Sequence, residues 1–333
     1  MPLRIYNKEI ILNGFTIPVY PDYAFMFSED VAYDKMYLSR VIDKHKILFQ
    51  DFSKSKYDLF DFIKAYMISW YRIRMDAGHP LALLEYAKKL RSCTLDENHL
   101  VERKGKIKYD PIVINWIAEA YVVLQWKYKV SSVELVNKIP PELLYERYSP
   151  LHECSWEALA RKTILSSNVF NEHGVIGFHD ANEQYGFLSN WYLSHFSIDG
   201  VEYSSMEQFI MHQKALLFND VDVADKILQE FNQANIKALG RKVKGFSESV
   251  WAAKRHDVLQ AGLYAKFSQN RVMKEALLST GENTLVELAK NDLIYGVGCS
   301  SKTSEWWEPA NWRGQNLLGL TLMEVREMIQ KME

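Results

Sequence analysis

The sequence predicts an α+β fold that is predominantly helical: a mostly helical N-terminal domain, then a C-terminal domain with a small strand and hairpin element. Two observations lead to this prediction. Apolar residues recur at three- and four-residue spacing through most of the chain, which is the period of an amphipathic helix. Asn-Gly and Asp-Gly pairs separate short apolar runs, which indicates tight β-hairpins. Because the pattern changes near residue 168, we place the domains at 1–168 and 169–333.

Composition and charge narrow the class of protein. The chain has 333 residues, of which 48% are hydrophobic and 25% charged, as in a globular protein of about two domains. Its net charge of −2 argues against a strongly basic DNA-coating protein. The N-terminus lacks the apolar region of a signal peptide, and no apolar run reaches the roughly 18 residues of a membrane span. We therefore expect a soluble, cytoplasmic protein.

Cysteine and histidine usage gives no sign of a metal site. The three cysteines stand far apart and the nine histidines are scattered, so a disulfide framework or a zinc cluster is not expected. His152, Glu153 and Cys154 are adjacent and could be imagined as ligands, but we interpret them as a solvated group. No metal and no other cofactor is predicted.

The N-terminal domain is predicted to open with strands and continue with helices. Residues 4–21 form short strand-like pieces around the turn Asn13-Gly14. Residues 57–75 have helical spacing of apolar side chains. A further helix begins at Asp110, the expected N-cap, with proline at its first position, and is apolar on most faces, so we expect it to be central and buried. Residues 131–168 predict three shorter helices.

A basic run precedes that central helix. The stretch "VERKGKIKYD", residues 101–110, contains Arg103, Lys104, Lys106 and Lys108. One interpretation is a solvated loop. The other is a contact with the DNA backbone, where basic residues gain affinity by releasing counterions from phosphates.

The C-terminal domain is predicted to begin with strands. Residues 174–180 read as a strand, and "FLSNWYLSHFSIDGVEYSS" reads as a hairpin with Asp199-Gly200 at its turn. Residues 283–301 predict a strand followed by a loop. Helices are expected at 205–218, 222–231, 233–243, 247–270, 272–280 and 320–332.

The helix that follows the hairpin contains a glutamate with two possible roles. Ser204 and Glu207 have the spacing of a capping box, in which Ser204 is the N-cap and Glu207 reaches back to its N–H. Lys214 lies seven positions on, nearly two turns, so both side chains leave the same helix face. The pair is either ordinary helix chemistry with a surface lysine, or part of a reactive site.

Other polar residues stand among aromatic and glycine residues. Ser189 and Asn190 lie between Phe187 and a tryptophan, and Asp292 precedes a loop with Gly296 and Gly298. The stretch "WRGQNLLG" opens onto the last helix, and helix N-termini of this kind bind phosphate. Its candidate ligand-binding residues are Trp312, Arg313, Gly314, Gln315, Asn316 and Gly319.

Taken in order, these motifs resemble a known family. From about residue 174 to 333, the succession "YGFLSNW", "DGVEYSSMEQFIMHQKA", "LVELAKNDLIYGVG" and "WRGQNLLGLTLMEVR" resembles a NADAR domain, the YbiA-like N-glycosidases. With its N-terminal block, the chain resembles the NADAR antitoxins that are paired with DarT-type toxins. The resemblance implies hydrolysis of an N-glycosidic bond at the ribose C1 of an ADP-ribose-like group.

The antitoxin branch implies a particular substrate and particular partners. The substrate would be ADP-ribose on guanine in DNA, or the corresponding nucleoside, with ADP-ribose as product and the cognate toxin as a partner; no membrane is involved. Other branches of the family imply phosphoribosyl-type intermediates of riboflavin synthesis. A third alternative is a non-catalytic module that binds ADP-ribose, NAD or the toxin.

The resemblance also implies roles for individual residues. It places the catalytic acid at Glu207, with Asp292 as its partner, and the family lysine at Lys214. That lysine would either hold the diphosphate or form a Schiff base with the ribose. Trp251 and Trp312 would stack on a base, although Trp251 could equally be a core residue. The family has a tryptophan where this chain has Tyr295, which keeps a stacking surface.

Overall fold

The computed structural model describes residues 8–19, 33–102, 108–164 and 171–332, and the chain divides into two compact units. The first unit comprises residues 33–102, 108–164 and 229–231 of that described part. The second comprises residues 8–19, 171–228 and 232–332. The predominantly helical α+β class predicted from the sequence is confirmed.

The first unit is built from ten helices within the described ranges. They are α1 (Leu38–Ser53), α2 (Leu59–Met67), α3 (Trp70–Asp76), α4 (Pro80–Leu84), α5 (Ala87–Glu97), α6 (Pro111–Tyr128), α7 (Ser132–Lys138), α8 (Pro141–Glu146), α9 (Tyr148–Leu151) and α10 (Trp156–Thr163). Helix α6 packs along α1, and most of its apolar side chains are buried, as predicted. Asp110 caps it by accepting from the N–H of Ile112 at 2.8 Å.

One helix prediction in this unit needs correction and another is refined. The helical spacing of residues 57–75 is divided between α2 and α3, because Ser69 breaks the run: its hydroxyl accepts from the N–H of Arg72 and starts α3. Residues 132–163 form four helices instead of three, since Tyr148–Leu151 adds a single turn between α8 and α10. A short polar cap, Ser69, decides the first break. The start of α9 has no side-chain cap, since Arg147 makes no capping hydrogen bond there.

The second unit contains all seven strands of the described chain. The elements are β1 (Lys8–Leu12), β2 (Phe15–Val19), β3 (Asn171–Glu172), β4 (Val175–Phe178), β5 (Leu193–Ile198), β6 (Val201–Ser205), α11 (Met206–Leu217), α12 (Val221–Leu228), α13 (Gln233–Gly240), α14 (Glu248–Ser268), α15 (Arg271–Leu278), β7 (Thr284–Glu287) and α16 (Leu317–Gln330). Helix α14 packs against α11, α16 and β5 and is the centre of the unit.

Three small sheets complete the second unit. Strands β1 and β2 form one antiparallel hairpin, and β5 and β6 form another, with Asp199 and Gly200 at positive φ in the predicted turn. The third sheet has the order β3-β4-β7, in which β4 and β7 are parallel and Ile176 faces Leu285. The parallel pair matters for the site, because β7 carries a glutamate at its C-terminal end.

The first hairpin differs from the predicted division, which placed it with residues 1–168. Thr16 and Asp199 exchange two hydrogen bonds, of 2.7 and 2.8 Å, and Asn13 donates to Gln260 at 3.0 Å. The ring of Phe15 meets that of Phe209 edge-on at 5.7 Å. The hairpin therefore belongs to the second unit, through contacts far apart in sequence that no local pattern reveals.

Candidate active site

The start of α11 removes the predicted capping role of Glu207. Strand β6 continues through Ser205, so the helix begins one residue later than the sequence predicted. The hydroxyl of Ser205 accepts from the N–H of Gln208 at 3.2 Å. The side chain of Gln208 reaches back to the N–H of Ser204 at 2.8 Å. Gln208 thus replaces Glu207 as the capping partner, and the Glu207 carboxylate is free for another role.

Glu207 is a buried carboxylate with an unused oxygen. Its side chain is 5% exposed, and Oε1 has no hydrogen-bond partner in the part of the chain that the structure describes. Its backbone N–H donates to the carbonyl of Asn190 at 2.9 Å. Burial raises the pKa of Glu207; the charge of Lys237 and a hydrogen bond from the Trp191 side chain oppose this, while Asp292 adds to it.

Two further carboxyl groups act on this site. Glu287, at the end of β7, has one oxygen, Oε2, buried without a partner among the described residues. Burial, and then the negative charges of Asp292 and Glu207, raise the pKa of Glu287 to about 8. Asp292 accepts through Oδ1 from the N–H groups of Ile294 and Tyr295, both at 2.9 Å. The predicted pair Glu207 and Asp292 does come together, and Glu287 joins it.

Positive charges surround the acids. Lys237 and Arg241 stand one helical turn apart at the end of α13, and both charges act on Glu207. Arg255, on α14, is 7% exposed and pairs with Glu248 at 2.5 Å. Its Nε is buried without a partner in the described ranges. Lys237 and Arg241 therefore act on Glu207, and the charge of Arg255 acts on Tyr295, so the site combines cations with carboxyl groups.

Tyr295 and Asn190 each aim an unpaired polar atom into buried space. The hydroxyl of Tyr295 and Oδ1 of Asn190 are buried and have no hydrogen-bond partner within the described chain. Burial raises the pKa of Tyr295, and the charges of Arg255, Glu207 and Asp292 also act on it. Both residues therefore lie in the same polar region as Glu207 and are available to a ligand.

Lys214 lies at the edge of this region. Its Nζ donates to the carbonyl of Gly240 at 2.9 Å and stands 4.1 Å from the ring centroid of Phe246. Burial lowers the pKa of Lys214, which favours the neutral amine; Glu248, Arg255, Arg241 and Glu207 act on it more weakly. The structure leaves both predicted roles open, since a half-buried amine can hold phosphate or react as a nucleophile.

The loop before β5 supplies the other predicted ligand-binding side chains. Ser189 is buried, and its hydroxyl accepts from the N–H of Trp191 at 3.3 Å. Phe187 is partly buried and meets the ring of Phe267 edge-on at 6.4 Å. The loop thus contributes to the site mainly through Asn190 and Trp191.

The glycine-containing loop before α16 has a structural role that differs from the predicted phosphate site. The N–H groups of Asn316, Leu317 and Leu318 donate to the carbonyls of Gly296, Ile294 and Tyr295 at 3.0 to 3.2 Å. These donors at the helix start are therefore already used by the protein. The side chain of Asn316 is fully buried and bonds to the backbone of Leu285 and Glu287.

The remaining residues of that loop also bind the protein itself. Arg313 donates to the carbonyls of Gly298 and Lys290, and the side chain of Gln315 is exposed. A Cβ at Gly314 would collide with the carbonyl of Gly296, and one at Gly319 with that of Leu285. These glycines allow close packing of the loop and of α16 on β7, which holds Glu287 in place.

The two tryptophans predicted to stack on a base are placed differently from each other. Trp251, on α14, is 4% exposed and lies among the core residues. Trp312 is partly exposed; its Nε1 donates to the carbonyl of Trp306 at 2.8 Å, and its ring packs on a cluster that includes Val286 and Leu288. Trp251 is therefore a core residue, and the Trp312 ring mainly packs against its neighbours.

Comparison with known proteins assigns the chain to a family. Residues 177–330 match the NADAR domain. An N-glycosidase of Acanthamoeba polyphaga mimivirus is 37% identical over 162 residues, which cover 46% of this chain and 95% of that protein. The chain belongs to the NADAR family. A riboflavin biosynthesis protein of Vibrio vulnificus is 30% identical over 167 residues, covering 50% of this chain and 41% of the relative.

One solved structure is also similar to the NADAR unit. The NMR structure of Escherichia coli YbiA has 27% sequence identity and a TM-score of 0.41, and the match covers 50% of this chain and 91% of that one. Within the ranges that the structure describes, no helix of this NADAR protein combines the length and the apolar character needed to cross a bilayer.

Five residues of the candidate site were not predicted from the sequence: Trp191, Lys237, Arg241, Arg255 and Glu287. The spacing of Lys237 and Arg241, one turn apart, was a readable signal for a charged helix face. Glu287 ends a strand, where a carboxylate is unusual. The surrounding sequence does not show that the carboxyl groups of Glu207 and Asp292 act on it in the folded protein. In the first unit Lys108 is exposed. Arg103, Lys104 and Lys106, the other predicted DNA contacts, lie outside the described residues.

Proposed function

We propose that this chain is an N-glycosidase that hydrolyses the ribose C1–N bond of ADP-ribosylated guanine in DNA and thereby reverses modification by a DarT-type toxin. The observation that carries the proposal is the buried, unpaired Oε1 of Glu207 beside Glu287 and Asp292. The names of the N-glycosidase relatives support the bond that is cleaved. The three cations support a substrate with a diphosphate.

The mechanism starts from the charge that builds on the sugar. When the C1–N bond breaks, its electron pair leaves with the base and the ribose becomes an oxocarbenium-like cation. A carboxylate beneath C1 stabilises that cation in a site with little competing water. Glu207 has a free oxygen for this task, and the Trp191 hydrogen bond with the charge of Lys237 favours its ionised form.

The departing base needs a proton, and we assign its delivery to Glu287. Because its pKa is about 8, the Glu287 carboxyl holds a proton at neutral pH. That proton goes to the guanine nitrogen as the C1–N bond breaks. Water then adds to C1 and gives one proton to the Glu287 carboxylate, so the products are ADP-ribose and the restored guanine.

The phosphate groups are assigned to the cationic side of the site. Lys237 and Arg241 present two charges from one helix end, and Arg255 adds a buried guanidinium with an unpaired Nε. Guanidinium groups suit phosphate oxygens because their N–H donors form a planar fork. Asn190 and Tyr295 remain for the ribose hydroxyls or the base.

A second candidate substrate has one observation in its favour. The Vibrio vulnificus relative is named a riboflavin biosynthesis protein. A phosphoribosyl-type intermediate of that route also joins a base to a ribose C1 and carries phosphate, so the same acids and cations could act on it. The two candidates differ in the base at the nitrogen and in the phosphate-bearing group on the ribose.

The test is the release of ADP-ribose from guanine-modified DNA. The chain is incubated with ADP-ribosylated guanosine, with modified single-stranded and duplex DNA, and with a phosphoribosylamino pyrimidine, and products are followed by mass spectrometry. We expect free ADP-ribose and unmodified guanine from the ADP-ribosylated substrates. Cleavage of the pyrimidine substrate alone would favour the second candidate, and binding without turnover of any substrate would overturn the glycosidase proposal.

Covalent catalysis by Lys214 is the alternative to direct attack of water on C1, and trapping with borohydride distinguishes the two routes. A neutral amine can attack C1, displace guanine and open the ribose to a Schiff base, which borohydride reduces to a stable secondary amine. Its burial and lowered pKa favour that amine. The covalent route gives an ADP-ribosyl adduct on Lys214, detected by peptide mass spectrometry when substrate and borohydride are both present, whereas direct attack of water gives none. A wild-type protein that turns over under borohydride without an adduct would leave Lys214 as a phosphate contact.

The basic run of the first unit is expected to lower KM for DNA substrates and to leave KM for the nucleoside unaffected. Replacing Arg103, Lys104, Lys106 and Lys108 with glutamine should raise KM for modified DNA about ten- to hundredfold at low salt, because each lost phosphate contact weakens binding. The KM for ADP-ribosylated guanosine should not change. An equal loss on DNA and on the nucleoside would contradict a DNA-binding role.

A further inference from the structure

Lys266 is a fully buried lysine in the middle of the second unit. It lies on α14 with 0% exposure. Its Nζ donates to the carbonyl of Phe187 at 2.7 Å and to that of Ser189 at 3.1 Å. The rings of Tyr192 and Phe267 lie 5.5 and 5.2 Å away. No carboxylate of the described residues pairs with it, so two backbone carbonyls carry most of the charge compensation.

The two carbonyls belong to the loop that holds Glu207. Residues 187 and 189 stand immediately before Asn190 and Trp191. Asn190 accepts the backbone N–H of Glu207 at 2.9 Å, and the Trp191 side chain hydrogen-bonds to the Glu207 carboxylate. One ammonium group therefore fixes the segment from which both contacts to the proposed catalytic acid arise.

A lysine at a core position lowers the stability of the folded protein. Taking an ammonium group out of water without a paired carboxylate destabilises the folded state, and an apolar side chain of similar length would avoid that cost. Burial lowers the pKa of Lys266 to about 7, in line with that cost. A residue that served packing alone has no need of the charge, whereas a clamp on two carbonyls requires a donor.

We propose that Lys266 is a positioning residue that sets the loop of residues 187–191 against Glu207 and so fixes the ionisation and placement of the catalytic carboxylate. The proposal rests on the proposed glycosidase function. Lys266 acts through Asn190 and Trp191. Its loss should therefore alter the chemical step more than substrate binding, since a displacement of about 1 Å at a reacting group can cost about a hundredfold in rate.

The first test compares Lys266→Met with Lys254→Met, an exposed lysine on the same helix. We expect Lys266→Met to lower kcat about 30- to 100-fold with less than about threefold change in KM. Its Tm should equal or exceed that of the wild type, since the buried charge is gone. The Lys254 variant should behave as wild type. An unchanged kcat in folded Lys266→Met protein would overturn the positioning role.

The second readout is the pH profile of kcat. The hydrogen bond from Trp191 lowers the pKa of Glu207, so its loss should move the acidic limb to higher pH. Lys237, Asp292 and Arg241, which also act on Glu207, are unchanged in the variant. Trp191→Phe should reproduce the shift, and the double variant should shift no further, because both act through one contact. Additive shifts would overturn the proposal.

Two further measurements keep the test independent of folding and of activity. If Lys266→Met does not fold, Lys266→Gln retains one donor, and it should recover part of the rate and of the pH shift. Backbone hydrogen exchange at residues 186–191 should be faster in the Lys266 variants than in wild type or Lys254→Met. The exchange measurement does not depend on substrate turnover. Unchanged exchange overturns the clamp, whereas faster exchange in a protein that cleaves no substrate overturns only the glycosidase function.

Discussion

Replacing Glu207 with glutamine is expected to lower kcat/KM for ADP-ribose release by about 1000-fold, equivalent to about 4 kcal/mol of transition-state stabilisation. Glutamine preserves the shape of the side chain and its hydrogen bond from Trp191, but it carries no charge to stabilise the ribosyl cation. The measurement is steady-state release from ADP-ribosylated guanosine. Glu282→Gln, at an exposed position of the same unit, is the matched control and should retain the wild-type rate.

The Glu207 variant also separates chemistry from folding. A carboxylate whose pKa is raised by burial destabilises the folded protein once the pH exceeds the ordinary value of 4.5. Removing it should therefore leave Tm at pH 7 unchanged or higher, while activity falls. A Glu207→Gln protein that releases ADP-ribose at the wild-type rate would show that another group lies beneath C1, and Asp292 would be the next residue to replace.

Replacing Glu287 with glutamine is expected to lower kcat/KM about 100-fold and to abolish the alkaline limb of the pH profile. In the wild type, activity should fall as the pH rises through about 8, because Glu287 then loses the proton that the departing base requires. Glutamine can donate a hydrogen bond but cannot transfer a proton, so the residual rate should not fall near pH 8. Measuring kcat/KM from pH 5 to about 10 for both proteins checks this.

The Glu287→Gln variant is expected to lose activity but to gain stability at alkaline pH. The pKa of Glu287 is raised from 4.5 to about 8 on folding, so the folded state holds a proton that the unfolded state has lost between these values. The free energy of unfolding contributed by this group therefore falls as the pH rises from 4.5 to 8. Glu287→Gln should be more stable than wild type at pH 8 and indistinguishable below pH 4. An alkaline limb that persists in the variant would assign it to another group.

The sequence was sufficient for the class of fold because helical and hairpin signals are local. Asp110 and the proline after it start α6 as predicted, and Asp199-Gly200 makes the predicted turn. The hairpin at Asn13 was also predictable, but its attachment to Gln260 and Asp199 was not. Pairing across so many residues depends on the packed structure, and local periodicity carries no information about it.

The two central acids of the candidate site were predictable from the sequence, but the role of the loop at Asn316 was not. Glu207 and Asp292 come together as the family resemblance implied, although the capping spacing of Ser204 pointed elsewhere. Gln208 also fits a capping box, with Ser205 as the N-cap. When the helix starts one position later, Gln208 takes the capping role and Glu207 is released from it. The loop at Asn316 has the composition of a phosphate site, but its donors serve the adjacent backbone, which composition cannot reveal.

The hairpin of residues 8–19 makes the second unit discontinuous, with the first unit inserted within it, and this affects how the protein is made. Thr16 leaves the ribosome 183 residues before its partner Asp199. At about 5–20 residues per second, the hairpin waits roughly 10 to 40 s for the surface that covers Phe15. The first unit can fold during that interval, whereas the second unit closes only after residues 199–260 have been made. An expression fragment that begins at residue 169 would omit this hairpin and leave its docking surface bare.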